Sequence, residues 1–325
     1  MNKTYKEQRF SSFTEIIDHC KAEYGNKSAF QIKLRENTYE YISFAAFHEH
    51  YYRLCGEFLS LGLKGRRIAV IGNNSYEWIL SYLAAATVGV AVPLDKELGE
   101  EDTENFLDSA ECSLVCAEGS QIRKIKKERT VLSFSEIRQT AYRNSNIDYS
   151  AVQRLVPDKN EMQILIFTSG TTGSSKGVCL SQYNICSNIY STVSMVKIFN
   201  SDKTLSILPL HHTYECTLDH LTVLSKGGCI AYSESLIKMA KNIAEYSPTV
   251  LVVVPELLKA LARRIRSSIV KECPQKYQAL YKELPLSEAF AKTPFIIRTV
   301  IRKKIKKALG GKIRMFIVGA ADLDT

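Results

Sequence analysis

At 325 residues, with 45% hydrophobic and 24% charged side chains, the chain has the balance of a globular protein with room for about two lobes. Disorder, collagen and coiled coil are excluded as the main state, and cores of this size need neither disulfides nor a structural metal. The formal net charge is +9, but Glu256 to Lys312 alone holds 15 Lys and Arg against four Glu, a net of +11, and leaves the remainder at −2.

In chain order, Met1 to Phe10 is polar and lacks the apolar core of a secretory signal. Helices are predicted at about Ser12–Tyr24 and Ser43–Leu61, the second closed by Leu61-Gly-Leu-Lys-Gly65. Arg67–Ile71 reads as a buried strand, followed by a helix from Ser75 to Val88 and a strand at Val90–Pro93. Trp78 to Leu94 is the longest stretch of low polarity. It falls short of the roughly 20 apolar residues of a spanning helix and holds a Gly and a Pro near its end. Near-continuous apolar strands alternating with helices predict a parallel sheet covered on both faces. Ser113–Ala117 continues the pattern, Arg123–Arg129 reads as a solvated charge run, and Ala141–Pro157 as a linker.

A short apolar strand, Met162–Phe167, then runs into a Gly-rich loop. Beyond it come a helix at Ser181–Ile198, a strand at Thr204–Leu208, a helix at Tyr214–Leu224 and strands at Gly228–Ala231 and Thr249–Val254. A helix starting at Pro255 follows, and Ile313–Val318 is the last strand. The chain is therefore expected to be α/β. Nine cysteines at irregular spacing read as reduced thiols, which points to the cytoplasm.

The densest basic segment, Arg298–Lys307, follows helical spacing, with Ile297, Val300, Ile301, Ile305, Ala308 and Leu309 toward one side and Gly310-Gly311 as a stop. Such a helix either lies on an anionic membrane surface as a peripheral contact, or packs its stripe on its own domain beneath snorkelling Lys and Arg. The second reading carries more weight. Nucleic acid is not expected as a partner, because the aromatic residues do not interleave with the basic ones.

Thr168-Ser-Gly-Thr-Thr-Gly-Ser-Ser-Lys-Gly177 is the most informative segment. Three glycines let the backbone approach a ligand closely. Six hydroxyls and clustered N–H groups offer hydrogen bonds to anionic oxygens, and Lys176 adds a point charge. The loop leaves the end of an apolar strand, where open α/β sheets bind ligands. This is a phosphate cradle, though not a Walker A loop, because Lys176 follows Ser175 and precedes Gly177.

The loop resembles the signature phosphate loop of the adenylate-forming (AMP-binding) superfamily, and within it the long-chain acyl-CoA synthetase branch. Ser175 stands where that family usually has Pro. Further matching segments are Ala84-Ala-Ala-Thr-Val-Gly-Val-Ala-Val-Pro-Leu-Asp95, Leu208-Pro-Leu-His-His-Thr-Tyr-Glu215, Val252-Val-Val-Pro255 and Gly311 to Leu323. The resemblance implies two stacked, mainly parallel sheets with helices on their faces, in a layered αβαβα large domain. It implies one lobe at 59–200 carrying the loop and a second from 1–58 with 201–325. The family's later motifs and small C-terminal domain are expected beyond Thr325.

The resemblance further implies ATP-dependent activation of a carboxylic, expectedly fatty, acid to an acyl-adenylate, then thioester formation with coenzyme A. A carrier-protein acceptor and a non-catalytic nucleotide-binding fragment are the rival readings. Thr168, Ser169, Gly170, Thr171, Thr172, Gly173 and Lys176 would hold the phosphates. Gly319, Ala320 and Ala321 would contact adenine in place of the family's Gly-Gly-Ala. His212 and Lys176 would serve catalysis, with Mg²⁺ travelling with the nucleotide. An unpaired sheet edge invites self-association into a homo-oligomer.

Of the two adjacent histidines, His212 is assigned to function and His211 to packing. The spacing of His211, Glu215 and Asp219 invites a metal reading, but His-Glu-x-x-His is absent and no metal-binding residues are assigned. His19, His48, His50 and His220 read as structural or solvated, and Cys112 and Cys116 as too isolated for a redox or metal site.

Overall fold

A computed structural model describes residues 5–144, 146–168 and 176–322. They hold twelve strands in two mixed, mostly parallel sheets of six. In chain order these are β1 (Ser28–Arg35), β2 (Thr38–Ser43), β3 (Arg67–Ile71), β4 (Val90–Leu94), β5 (Cys112–Ala117) and β6 (Val131–Ser133). Then follow β7 (Ile164–Thr168), β8 (Lys176–Leu180), β9 (Lys203–Ser206), β10 (Cys229–Tyr232), β11 (Val250–Val253) and β12 (Met315–Val318). The chain divides into two compact units, Met1–Ser201 with Leu208–Tyr232, and Asp202–Ile207 with Ser233–Thr325.

One complete sheet lies in the first unit, in the order β6-β5-β3-β4-β7-β8. All its neighbours are parallel except β8, which returns antiparallel to β7. Every residue from Ile68 to Ile71 is fully buried, as a strand covered on both faces requires. The helix Tyr76–Val88 connects β3 to β4, and the Ser75 hydroxyl caps it by accepting from the Trp78 N–H. Trp78, Ile79, Leu80, Leu83 and Ala84 to Ala86 are all buried, so this helix is apolar all round because it lies inside the unit. Among the described residues no helix is long and apolar enough to cross a membrane. Between helix and β4, a Cβ on Gly89 would lie 2.1 Å from the Arg66 carbonyl oxygen, so the crossing requires glycine.

Several expectations need correction. Arg123–Arg129 is largely exposed, as expected, but it is also tied down by ion pairs. Lys127 and Arg129 pair with Asp108, Arg129 also reaches Glu104, and the Lys126 N–H donates to Glu104 at 2.6 Å. The expected linker Ala141–Pro157 contains a short helix, Tyr149–Gln153, whose Val152 is fully buried. β1 and β2 form an unforeseen hairpin across Glu36-Asn37, with Asn37 at φ 55°. Consecutive burial of Ala29, Phe30 and Gln31 followed by exposure erases the alternation that would have marked β1. The segment Tyr214–Leu221 is π-helical, and α-helix resumes only at Thr222–Ser225. All nine cysteines are free; Cys112 and Cys116 are buried in β5, and burial pushes both thiols up to about 12.

In the second unit β11 lies parallel between β9 and β12. Asp202 ties the starts of these strands together, accepting from Thr249 Oγ1 at 2.7 Å and Arg314 Nε at 2.9 Å. Four helices follow β11. The first, Pro255–Glu272, has Pro at its start as predicted. Pro274, Pro285 and Pro294 each precede one of the others, Gln275–Glu283, Leu286–Ala291 and Phe295–Ala308. Ile301 is buried and Ile297 and Ile305 half-buried against Ile269, Cys273, Tyr281 and Ala289, a small core private to these helices. Val300, expected on the packed side, is 49% exposed, and Phe295 and Ile296 are more so. Gly310 and Gly311 stop the helix at φ +72° and +78°.

Candidate functional site

The strand ends of the first unit's sheet position the candidate site. Thr168 closes β7, Lys176 opens β8, and the two are Cα partners across the antiparallel pair. They are thus the two posts of the Gly-rich segment. Both are exposed. Ser169, Gly170, Thr171, Thr172 and Gly173 lie outside the described residues. The β8 strand itself was not predicted, because its exposed residues carry no apolar period.

β7 is the parallel neighbour of β4, with Ala91 opposite Ile164. Continuing that register for four residues brings Asp95 level with Thr168, at the carboxyl end of the sheet. There Asp95 Oδ2 lies 3.7 Å from His211 Nε2. The His211 and His212 rings are 4.1 Å apart at their centroids. So Thr168, Lys176 and His211 meet at one edge, His211 through Asp95, with His212 beside it. Neighbouring strands are about 5 Å apart, a span suited to small anionic groups rather than a broad protein surface.

Asn74 holds the histidine loop in place. Its Nδ2 donates to the Leu208 carbonyl at 2.6 Å, and its Oδ1 accepts from the Leu210 N–H at 3.0 Å. This pair of hydrogen bonds to the backbone on both sides of Pro209 fixes where His211 and His212 emerge. Sequence reasoning missed Asn74. Its position just after the C-terminal end of β3 was the available signal. The His212 N–H donates to the Pro209 carbonyl, and the Cys216 N–H returns to His212 O, both at 3.1 Å, so His212 is tied to the start of the π-helical segment at Tyr214.

His212 is exposed, whereas His211 is half-buried. Burial first, and then the neighbouring His212, hold the His211 ring well below the ordinary histidine range against the opposing pull of Asp95. His211 therefore stays neutral near pH 7. The exposed ring is the one free to meet a ligand.

Farther along the same helix Glu215, Asp219 and His220 are all fully buried, with one ligand atom of each within 4.8 Å of the others. Sequence spacing pointed to His211 with Glu215 and Asp219; the structure groups the two carboxylates with His220 instead. Burial pushes the His220 ring down to about 3, against a smaller pull from the Glu215 backbone.

Gly319, Ala320 and Ala321 belong to the second unit, directly after β12. Gly319 N–H reaches the Val253 carbonyl at 3.4 Å, and Ala320 takes φ +65°.

The family profile described as "AMP-binding enzyme" matches residues 17–325. Long chain acyl-CoA synthetase 3 of Arabidopsis thaliana is 26% identical over 326 residues, covering 89% of this chain and 49% of that protein. Long-chain-fatty-acid–CoA ligase 5 of Rattus norvegicus is 27% identical over 79% of this chain and 43% of its own length. The chain spans about half the length of the curated relatives it matches. Among solved structures, the N-terminal domain of FACL13 from Mycobacterium tuberculosis superposes with a TM-score of 0.69 at 17% identity, covering 97% of this chain and 71% of that one. ATP-bound MatB from Rhodopseudomonas palustris gives 0.66 at 22% identity, over 95% and 55%. These likenesses establish a shared fold.

Proposed function

The chain belongs to the AMP-binding enzyme family, and from that premise we propose that it carries the nucleotide-activating part of an acid–thiol ligase acting on fatty acids. In the proposed reaction a carboxylate oxygen attacks the α-phosphorus of ATP, releasing pyrophosphate and forming acyl-adenylate. The thiol of coenzyme A then attacks the acyl carbon and AMP leaves. The observation that carries the proposal is the convergence of Thr168, Lys176 and the His211-His212 pair at one carboxyl edge of the sheet.

The residues divide the work. Ser169 to Gly173, with the Thr168 hydroxyl and the Lys176 ammonium, take the β- and γ-phosphates, and Lys176 neutralises the departing pyrophosphate. His212 donates a hydrogen bond to the oxygens that gain charge during attack. Asn74 and Asp95 keep the histidine pair at that edge. The described donors at the two posts, one hydroxyl and one ammonium, suit phosphate oxygens, and the one carboxylate named at this edge, Asp95, is turned to His211. The ion would therefore arrive on the nucleotide and keep its waters. Gly319 to Ala321 are proposed to meet adenine. Each six-stranded sheet is proposed as the core of one lobe, 59–200 and 1–58 with 201–325. Coenzyme A is favoured over a carrier protein because the curated relatives are named as CoA ligases and synthetases.

The test is fatty-acid-dependent ATP–pyrophosphate exchange, measured in the protein at its natural gene length. His212→Ala is expected to lower exchange by about 10²–10³-fold, the usual effect of removing one such donor, with folding intact by circular dichroism. Full exchange in the variant would return His212 to a packing role. Absence of exchange with every fatty acid in the wild type would end the fatty-acid reading.

A peripheral membrane contact is proposed for Arg298–Lys307, supported by exposed Phe295, Ile296 and Val300 beside Arg298, Arg302 and Lys303. Cosedimentation with anionic but not neutral vesicles is expected, and equal binding to both would contradict it.

A further inference from the structure

We infer that Glu215, Asp219 and His220 form a site for one divalent transition-metal ion of the Zn²⁺ or Mn²⁺ type, separate from the ion carried by the nucleotide. Among the described residues they are the one group of three His, Cys, Asp or Glu side chains whose ligand atoms converge. All three are fully buried, unlike the exposed acidic clusters common on protein surfaces.

The π-helix builds the site. In an α-helix, at about 3.6 residues per turn, position i+5 points about 140° away from position i. Residue 220 would then face away from residue 215. The i→i+5 bonding of Tyr214–Leu221 makes a wider turn, which brings i+4 and i+5 to either side of i. Asp219 and His220 therefore flank Glu215. Such single wide turns are costly in isolation and recur at functional sites.

A second, independent observation is the imidazole. His220 has no exposed surface, and neither ring nitrogen meets hydrogen-bond geometry, with only a weak pull from the Glu215 backbone nearby. Buried polar nitrogens ordinarily find a partner. A metal ion accepts the lone pair of an imidazole nitrogen that has no other partner. Two carboxylates also match the charge of a divalent ion, leaving a neutral buried unit.

The donor set selects the ion class. Two carboxylates and one imidazole suit Zn²⁺ and Mn²⁺, and the absence of thiolate argues against Cu(I). Metal–ligand bonds of about 2.1 Å give ligand–ligand edges of roughly 3.4 Å in a tetrahedron. Closing from separations of up to 4.8 Å takes roughly an ångström of side-chain movement per group. The enclosed position means that the ion enters as the chain folds. Its role is structural: it pins the helix that begins at Tyr214, two residues after His212.

The test uses the untagged full chain, expressed with Zn²⁺ or Mn²⁺ in the medium and passed over a chelating resin. Elemental analysis is expected to find about one equivalent per chain, and strong chelators are expected to lower the melting temperature. Asp219→Asn and His220→Gln should each cut retained metal at least tenfold. X-ray absorption on the Zn²⁺-loaded wild type supplies a readout that needs no variant, and one nitrogen with oxygen ligands is expected. Less than a tenth of an equivalent in folded wild type would overturn the proposal. So would sulfur ligation, or undiminished metal in the folded double variant.

Discussion

Ala320 sits at φ +65°, a backbone region where an L side chain crowds the following carbonyl at a cost of roughly 1–2 kcal/mol. The resembling family carries glycine at that position. Strain tolerated in a short turn after β12 fits the role proposed for Gly319 to Ala321. Ala320→Gly should relieve it. Offset by the backbone freedom glycine gains when unfolded, the net gain is about 0.5–1 kcal/mol, read as a raised urea midpoint. An unchanged or lowered midpoint would show that the turn holds alanine without strain. His212 and His211 make a second contrast between neighbours: one is exposed at the sheet edge, the other half-buried and held neutral beside Asp95. That contrast supports the proposal that His212 acts and His211 packs.

Among the elements, the helix Phe44–Ser60 carries a titration that the whole fold should report. His50 is buried, with Nδ1 2.7 Å from the Tyr76 hydroxyl and its ring 4.3 Å from that of Tyr142. Burial pushes it down to about 4. Arg53 and Arg138 push the same way, and Glu49 and Glu40 oppose them. The unfolded ring titrates near 6.5, so between about pH 4 and 6.5 the unfolded chain holds the extra proton. Stability is therefore full above pH 6.5 and falls as pH drops toward 4, by on the order of 3 kcal/mol from this group. His50→Gln keeps a partner for Tyr76 and should lessen the fall of the urea midpoint across that window, leaving the part that His211 and His220 contribute. An unchanged slope would contradict the assignment.

How legible each element was follows from its burial. β3 was read to the residue, because four consecutive buried apolar residues leave only one interpretation. The helix caps at Ser12, Ser43, Ser75 and Ser181 were legible from composition. The hairpin β1–β2 and the exposed β8 lack a clean period. The π-helix has no compositional signature at all, so the meeting of His220 with Glu215 could not be read from spacing. Asn74 was invisible for another reason: its partners at Leu208 and Leu210 are 134 and 136 residues away.

Taken as a whole, the molecule sets the segment proposed to bind phosphate between strands of one unit, while its positive excess lies in the helices of the other. The net +11 between Glu256 and Lys312 acts at long range on any polyanion, including ATP and coenzyme A, but it cannot distinguish a triphosphate from a monophosphate. On the proposed assignment Lys176 can, because it stands at the post of the loop on the side given to pyrophosphate. A charge-assisted hydrogen bond of this kind contributes about 1.5–3 kcal/mol, or roughly 10- to 100-fold in affinity. The most direct measurement is calorimetric titration of ATP and of AMP into wild type and Lys176→Ala under identical salt. The expected result is a loss of roughly tenfold or more for ATP with AMP nearly unchanged; equal losses for the two nucleotides, or none for ATP, would contradict the placement of the triphosphate at this loop.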